Sequence, residues 1–337
     1  MMSQPLAQVI RGDIVESVHR GHLVVIDGEK NVLSAIGDAS FITFFRSSAK
    51  SFQAIPFITS GAADRFGMTE REIAMACASH SGEPIHVDLA AGMLEKAGLT
   101  EADLKCGTHL PFDEFEAERM IRAGERPNQL HNNCSGKHAA MLAFATHSGA
   151  DLGTYHHVEN PIQQEILRTV AAFAERPVKE IGIGIDGCAA PNFAMPLLAM
   201  ARCFANLIDP PAGFHEELRN ACRRILAAQL QYPELIGGTE RLDTMVMQAA
   251  PGKFISKVGA DGVWLCGVIP NAEYPSGLAI ALKIEDGDDR RARPVVAVGL
   301  LKRLGLLPAD ALPTLDPMPL KDRRGDVVGR VESLAEI

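Results

Sequence analysis

The chain carries β-forming sequence near both of its ends and helical sequence between them, which limits the folds open to it. Residues 15–38 hold two β-rich runs on either side of a short polar turn at 27–31, the pattern of a β-hairpin. In the C-terminal third, three further β-runs follow one another through tight turns: KFISKVG, GVWLCGVIP and GLAIALKIED. Strands from both ends are most simply placed in one antiparallel sheet, with helices covering its faces and forming a helical lobe. We therefore expect a single two-lobed α/β domain over residues 1–337.

The middle of the chain follows helical periods. The sequence TERE at 69–72 is a capping box, which predicts a helix that runs to about residue 78. The run VKEIGIGIDGC at 178–188 predicts a buried strand that ends at a glycine turn. Further helices are predicted at 48–59, 84–97, 136–148, 161–175, 192–207 and 214–230, and a last one in RRARPVVAVGLLKRL.

Charge and composition argue against some classes of binding partner. A formal net charge of −9 argues against nucleic acid, because phosphate-binding surfaces carry a basic excess. The most apolar long segment, 193–208, is interrupted by Pro196 and Arg202 and is too short to span a bilayer. The first residues lack the basic and apolar regions of a secretory signal, so we expect a cytoplasmic protein without membrane contact. The seven cysteines are odd in number and irregularly spaced, which predicts buried thiols rather than a disulfide framework.

The first candidate site is RSSAKSFQ at 46–53. If a helix begins near Ser47, then Ser47 and Lys50 lie on one face of it, within reach of each other. A serine hydroxyl is a weak nucleophile until a base takes its proton, and a lysine is such a base only where burial or a neighbouring cation favours its neutral form. Serine is also a common helix cap, so the motif alone is compatible with a plain helix start or with a nucleophile beside its base.

Two further motifs favour the second interpretation. ASHSGE at 78–83 follows a predicted helix end, and SKVG at 256–259 places Lys257 on a predicted strand. A Ser-x-x-Lys helix start, a Ser-x-Asn triplet and a Lys-Thr-Gly strand occur in this order in penicillin-recognising serine hydrolases. Here the second element is Ser-His-Ser and the third is Lys-Val-Gly, so both are imperfect matches. The order predicts a second serine–lysine pair, Ser79 with Lys257, and an acyl-transfer site.

Two polar turns are candidates for ligand binding. NNCSGKH at 132–138 places seven small or polar residues immediately before an apolar helix, where a plain cap needs only one serine or asparagine. IDGC at 185–188 ends a predicted strand, and ligands in α/β proteins are often bound at strand ends.

Taken together, five motifs resemble the rhizobial-type L-asparaginases of the asparaginase II family: RSSAKSFQ, ASHSGE, NNCSGKHAAML, IDGCAAP and SKVGADGVW. The resemblance extends over nearly the whole chain. It implies a fold like that of the serine β-lactamases and serine-dependent glutaminases, and a homodimer. It also implies hydrolysis of the side-chain amide of L-asparagine to L-aspartate and ammonia.

The resemblance assigns roles to individual residues. It implies two serine–lysine tandems, Ser47 with Lys50 and Ser79 with Lys257, although Lys253 is close enough in sequence to make the last assignment ambiguous. It further implies one zinc ion, Zn2+, whose ligands are Cys134, Lys137 and Cys188. Two thiolates, one neutral amine and one open position suit the tetrahedral preference of zinc. Without the resemblance, two cysteines about fifty residues apart are better explained as buried thiols.

The expected mechanism starts with attack by Ser47, deprotonated by Lys50, on the side-chain carbonyl of asparagine. Ammonia leaves, and water then hydrolyses the ester while Ser79 and Lys257 relay protons.

A free amino acid has two charged groups that need partners. We expect Asp186 to bind the α-ammonium group and Arg46 the α-carboxylate, although Arg46 is equally well explained as a solvated arginine. His138 either lines the pocket or caps its helix.

Three alternative functions stay open at this point. A glutaminase differs by about one methylene in its substrate, a distinction worth only ~1–3 kcal/mol. A β-lactamase or another peptidoglycan-processing enzyme works outside the cytoplasm and needs an export signal. A non-catalytic zinc-binding or amino-acid-binding protein needs neither lysine as a base. The sequence leaves open which serine is the nucleophile and whether the zinc is catalytic or structural.

Overall fold

The structure is a computed structural model and describes residues 2–336. Its strands are β1 (Gln4–Arg11), β2 (Ile14–Asp27), β3 (Val32–Ile36), β4 (Ile42–Phe44), β5 (Gly182–Ile185), β6 (Pro191–Pro196), β7 (Phe254–Gly259), β8 (Val263–Val268), β9 (Leu278–Ile284), β10 (Met318–Lys321) and β11 (Val327–Ser333). Its helices are α1 (Lys50–Thr59), α2 (Ala62–Arg65), α3 (Glu70–Ala76), α4 (Pro84–Lys96), α5 (Glu114–Ala123), α6 (Ser135–Ser148), α7 (Pro161–Ala174), α8 (Leu197–Ile208), α9 (Glu216–Gln231), α10 (Pro233–Ile236), α11 (Leu242–Ala249) and α12 (Ala292–Arg303). Short 3₁₀ turns cover Arg46–Ala49, Glu101–Asp103, Gln129–His131 and Val178–Glu180.

The chain divides into two compact units, each made of separate stretches of sequence. Of the described residues, unit 1 contains 2–48, 195–209 and 245–336, and unit 2 contains 49–194 and 210–244.

Unit 1 is built on an antiparallel sheet in the order β10-β11-β1-β2-β9-β8-β7, with β3 paired to the far part of β2. Strands from the two ends of the chain are direct neighbours, since Val9 pairs with Val331. The strand β2 joins the two halves of the sheet, because it pairs with β1 through its first part and with β9 through its second. The predicted antiparallel sheet that draws on both chain ends is therefore confirmed.

The C-terminal strands form the most buried part of this sheet. Every residue of β7, β8 and β9 is buried, so both faces are covered in this region. Helix α8 packs on β2, β8 and β9, while α12 packs on β1, β9 and β11. Within the core, the indole N–H of Trp264 donates to Ser256 Oγ at 2.8 Å, which satisfies a donor that would otherwise be buried unpaired.

Unit 2 is mainly helical and is organised around α1 and α6. Residues 50–57 of α1 and 135–145 of α6 are all buried, and α1 packs against α6, α7 and α9. Gly136 lets α6 approach the end of α3: a Cβ atom at this position would lie 2.4 Å from the carbonyl oxygen of Met75. The end of α3 and the start of α6 are thereby held side by side, and the loops that adjoin them carry the residues of the candidate site.

Most predicted elements are present, with two corrections. The capping box at 69–72 opens α3 as expected, with the Thr69 side chain accepting from the Glu72 amide. The run at 178–188 is not a buried strand, because β5 is only four residues long and Ile183 and Ile185 are exposed. The helix predicted from residue 192 begins only at Leu197, since Pro196 would break a helix interior and instead forms its N-cap.

Within the described part of the chain, nine elements have no counterpart in the sequence-based prediction: β1, β4, β6, β10, β11, α2, α5, α10 and α11. Among residues 2–336 no helix is long and apolar enough to cross a membrane.

Candidate active site

Lys50 is the first residue of α1, and its side chain is fully buried within unit 2. Its Nζ atom lies 2.9 Å from Ser79 Oγ, 2.5 Å from the carbonyl oxygen of Ala78 and 3.2 Å from that of Asn133. The sequence paired Ser79 with Lys257, whereas within unit 2 the amine that reaches Ser79 is that of Lys50.

The three partners of Lys50 suit a lysine that exchanges protons. Carbonyl oxygens only accept hydrogen bonds, so Ala78 and Asn133 hold two N–H groups of the amine in place. The third position faces a hydroxyl, which accepts from an ammonium group and donates to the lone pair of a neutral amine. The Ser79 hydroxyl can therefore take part in hydrogen bonding with either protonation state of Lys50.

The two serines of RSSAKSFQ differ in what their hydroxyls do. Both lie in the 3₁₀ turn Arg46–Ala49 that leads into α1. Ser48 is fully buried in unit 1 and donates to the carbonyl oxygen of Lys257 at 2.9 Å, so its hydroxyl fixes the turn to strand β7. Ser47 is only half-buried. Ser79, by comparison, is 3% exposed, and its amide is bonded to the carbonyl oxygen of Ile236. Of the candidate nucleophiles, Ser47 is thus the more accessible.

Arg46 precedes Ser47 in a left-handed backbone conformation, with φ of 52°. Its guanidinium group forms an ion pair with Asp261, which follows β7, so Arg46 anchors the turn within unit 1. Gly259 makes the close approach possible, because a Cβ there would lie 3.0 Å from both the Arg46 Cβ and the carbonyl oxygen of Phe45. The predicted role of Arg46, binding of an α-carboxylate, therefore competes with a structural role that the sequence did not reveal.

Lys257 lies on β7 with its side chain fully buried, as the strand prediction required. Its register partner on β8 is Leu265, and its Nζ atom donates to the carbonyl oxygen of Val258 at 3.2 Å. Lys253, the other lysine of this region, precedes the strand and is exposed. Burial therefore favours Lys257 as the functional lysine.

The three predicted zinc ligands come together in unit 2. Cys134, Lys137 and Cys188 are each at most 5% exposed, and Lys137 Nζ lies 3.1 Å from Cys188 Sγ. Cys134 precedes α6, Lys137 lies in its first turn, and Cys188 lies in the turn that joins β5 to β6. The sequence therefore identified a real cluster across more than fifty residues.

The protonation of the two thiols differs. A hydrogen bond from Cys134 holds the pKa of Cys188 well below its ordinary value, and Lys137 adds to this effect. The same bond, together with burial, raises the pKa of Cys134 to about 12. Burial by itself lowers the pKa of Lys137, but the charges of Cys188, Cys134 and Asp186 and the hydrogen bond to Cys188 together outweigh burial and raise this pKa. The cluster thus resembles a thiolate that shares one proton with its neighbouring thiol and faces a cation.

This donor set fits a zinc ion. A metal ion among the three groups would take the place of the proton shared by Cys134 and Cys188, and zinc accepts thiolate and nitrogen ligands. Within residues 2–336 no group of three or more His, Cys, Asp or Glu side chains is placed to hold a metal ion. The third donor at this cluster is the amine of Lys137, whose Nζ atom lies 3.1 Å from Cys188 Sγ.

Two further predicted residues lie in the same unit. Asp186 is half-buried in the turn before Cys188 and accepts from the Gly187 amide at 2.7 Å. His138 is fully buried on α6, and its Nδ1 atom lies 2.6 Å from the hydroxyl oxygen of Tyr155. Burial lowers the pKa of His138 well below its ordinary value. His138 is therefore a neutral, interior residue rather than the cap of its helix.

Sequence reasoning missed the residues that support these groups. His80, next to Ser79, is hydrogen-bonded to Ser135, next to Cys134. His109 accepts a hydrogen bond from the Asn133 amide. His80 and Ser135 were inside quoted motifs, but nothing in a single sequence indicates that two motifs are in contact.

The sequence matches the family described as L-asparaginase II over residues 7–333. A search of curated protein sequences finds no match.

Several solved structures are distantly similar. A probable glutaminase from Bacillus subtilis complexed with 6-diazo-5-oxo-L-norleucine is 14% identical, with 86% of this chain and 85% of that chain covered and a TM-score of 0.39. A β-lactamase from Mycobacterium bovis is 12% identical, with 84% and 94% covered and a TM-score of 0.42. A β-lactamase from Burkholderia ambifaria is 13% identical, with 84% and 95% covered and a TM-score of 0.38.

Proposed function

Because the chain belongs to the L-asparaginase II family, as the five motifs predicted, we propose that it hydrolyses the side-chain amide of L-asparagine to L-aspartate and ammonia. Membership in this family supports an amidohydrolase. The choice of asparagine as substrate and of a serine–lysine mechanism is our proposal. The observation that carries it is the contact of 2.9 Å between the buried Lys50 amine and the Ser79 hydroxyl, because an amine and a hydroxyl in a dry environment form a proton-transfer pair.

In the proposed reaction, Ser47 Oγ attacks the side-chain carbonyl carbon of asparagine, and its proton passes by way of the Ser79 hydroxyl to the Lys50 amine. The tetrahedral intermediate collapses, the C–N bond breaks, and the leaving nitrogen takes a proton and departs as ammonia. The product is an ester between Ser47 and the side-chain carboxyl group of aspartate. Water then hydrolyses this ester, and the proton returns to Ser47.

Accessibility supports the choice of Ser47 over Ser79. Ser47 is half-buried, whereas the Ser79 hydroxyl is almost fully covered and already faces Lys50. We assign Ser79 to a proton relay with Lys50. We assign Lys257 to proton transfer as well. Backbone amides of the turn before α1 would stabilise the oxyanion, and one lost donor of this kind typically costs about 2.7–4 kcal/mol.

For the substrate's α-ammonium group we propose Asp186, a half-buried carboxylate. We propose that Cys134, Lys137 and Cys188 hold one zinc ion, since the three donors are buried together. When bound, a zinc ion in such a site supplies positive charge that polarises an amide oxygen or a water molecule.

A homodimer is proposed from the family resemblance and is tested by light scattering of the purified protein.

The test is ammonia release by the purified protein from L-asparagine, with L-glutamine measured in parallel. Two variants with a matched chemical change separate catalysis from folding. Ser47→Ala should lose at least about 1,000-fold in kcat with an unchanged melting temperature. Ser48→Ala should stay active but lose about 1–2 kcal/mol of stability, because it removes the buried bond to Lys257.

Each result has a clear meaning. Activity on asparagine that survives in Ser47→Ala but disappears in Ser79→Ala would transfer the nucleophile to Ser79. No ammonia from asparagine in the zinc-supplied wild type would overturn the substrate assignment, and turnover of glutamine alone would make the protein a glutaminase.

A further inference from the structure

His80 lies between Ser79 and Ser81 in the loop that follows α3, and it is completely buried in unit 2. Its Nδ1 atom lies 3.1 Å from the Gly82 amide nitrogen, and its Nε2 atom lies 2.9 Å from Ser135 Oγ. Its ring stacks on that of His86, with centroids 5.0 Å apart. The side chain is therefore fixed on both ring nitrogens and on one face.

These contacts determine the tautomer of His80. The Gly82 amide can only donate, so Nδ1 must offer its lone pair and the proton must be on Nε2. Nε2–H then donates to the Ser135 oxygen, whose own hydroxyl proton is directed at the carbonyl oxygen of Leu130, 2.9 Å away. The result is a directional chain of hydrogen bonds through a neutral imidazole, and a second ring proton would disrupt it.

This series of hydrogen bonds connects the two segments that carry the residues of the candidate site. Ser135 immediately follows Cys134, and Lys50 binds the carbonyl oxygen of Asn133 on the other side of that cysteine. On the opposite loop, Lys50 binds Ala78 and Ser79, immediately before His80. Lys50 and His80 thus both connect the segment at 78–80 to the segment at 133–135, which leads into α6.

We propose that His80 is a positioning residue for the reaction proposed above: its Nε2–H bond to Ser135 fixes the loop that carries Ser79, and so keeps the Ser79 hydroxyl within hydrogen-bonding distance of the Lys50 amine. The inference rests on the proposed function, since positioning matters only if the pair transfers protons. His80 does not itself reach the substrate in this proposal. Its effect is confined to the geometry of Lys50 and Ser79, in which displacements of about 1 Å typically cost about 100-fold in rate.

Two conservative variants test the roles of the two ring nitrogens separately. In His80→Gln the amide nitrogen takes the place of Nε2 and can still donate to Ser135, so the rate should stay within about tenfold of the wild type. In His80→Asn the amide oxygen takes the place of Nδ1 and can still accept from Gly82, but the bond to Ser135 is lost. His80→Asn should lower kcat by about 100-fold with KM changed by less than about threefold. Ser135→Ala removes the same bond from the other side and should reproduce that loss.

The double variant His80→Asn/Ser135→Ala should be no slower than either single variant, because both changes remove one interaction. A loss in the double variant equal to the product of the two single losses would overturn the link. So would His80→Asn activity within about twofold of the wild type, or equal losses in His80→Asn and His80→Gln.

Crystal structures of the variants provide a readout that does not depend on turnover. Lys50 Nζ and Ser79 Oγ should separate beyond hydrogen-bonding distance in His80→Asn and in Ser135→Ala, and stay together in His80→Gln. If the wild-type protein releases no ammonia from either amide, the proposed function fails while these distances still decide the positioning role. An unchanged Lys50–Ser79 contact in His80→Asn would overturn the positioning role whatever the activity.

Discussion

Lys50 Nζ and Ser79 Oγ lie 2.9 Å apart in the interior of unit 2, where two backbone carbonyl groups hold the same amine. The carbonyls come from the loops on either side of the site, at Ala78 and Asn133. One lysine thus joins the loop that follows α3 to the loop that precedes α6, in addition to its proposed role as a base. Structure and chemistry depend on the same side chain.

The two lysines near β7 should behave differently when exchanged for methionine. Lys257→Met should lower kcat by at least about 100-fold, because the buried lysine of the SKVG motif is assigned to proton transfer. Lys253→Met is the matched control: Lys253 is exposed and should be exchanged without loss. Steady-state ammonia release from both variants tests the pair. Full activity in Lys257→Met would remove that residue from the mechanism.

Zinc should be bound at about one ion per chain, which elemental analysis of the purified protein measures directly. Cys188→Ala should lose the metal, since it removes one of two sulfur ligands, and dialysis of the wild type against a strong chelator should do the same. Cys222→Ala is the control, because Cys222 is a buried thiol outside the cluster. Burial raises the pKa of Cys222 to about 12. Equal zinc content in Cys188→Ala and Cys222→Ala would place any bound metal elsewhere.

Gly136 should not tolerate even a methyl group. A Cβ atom would lie 2.4 Å from the Met75 carbonyl oxygen, so Gly136→Ala must push α6 away from the end of α3 and should cost about 2–3 kcal/mol of stability. Gly92 in α4 offers the opposite case, because its nearest neighbour would be 4.0 Å away. Gly92→Ala should therefore stabilise the protein by about 0.5–1 kcal/mol. Denaturant unfolding of both variants gives the comparison, and similar signs for the two would contradict it.

His80 should make stability depend on pH in the acid range. Burial, with a smaller contribution from His86, holds the pKa of His80 well below its ordinary value of about 6.5. The unfolded chain therefore takes up a proton at a pH where the folded protein does not. The contribution of this group to stability is complete above pH 6.5 and falls by about 1.4 kcal/mol per pH unit below it, until the folded protein is protonated as well.

The measurement is denaturant unfolding of wild type and His80→Gln between pH 5 and pH 8. The difference in unfolding free energy between the two proteins should be constant above pH 6.5 and should change in favour of His80→Gln as the pH falls. The other groups that act on His80 remain in both proteins and cancel in the difference; they are His86, Lys50, His109 and His131. A difference that does not vary with pH would show that His80 titrates normally.

Local patterns were sufficient for much of the fold. The strands β7, β8 and β9 and the helices with clear caps, such as α3 after Thr69, lie where the sequence predicts them. Strand β5 was misjudged because an alternating Gly-Ile run indicates a strand but does not show whether anything covers it. β11 was missed because its Arg330 and Glu332 give it the appearance of a polar tail, although Val331 pairs with Val9 in the sheet.

The sequence proposes the members of the candidate site but not the contacts between them. The motifs identified Lys50, Ser79 and the cysteine–lysine cluster, because chemically demanding residues are concentrated there. The pairing of Lys50 with Ser79 depends on how α1, α3 and α6 pack, which no local spacing encodes. The same holds for Arg46, whose partner Asp261 is more than two hundred residues away in the sequence.

The pairing of β1 with β11 has a consequence for biosynthesis. Residues 4–11 leave the ribosome long before their neighbours 327–333 and can pair with them only after those residues have been made. Unit 2, in contrast, has all of its segments available once residue 244 has emerged. We therefore expect the helical unit to form during translation, while β1 stays unpaired on one edge until β11 has been made. In this interval the exposed edge of β1 is open to pairing with other chains, so assistance from chaperones should matter most before synthesis is complete.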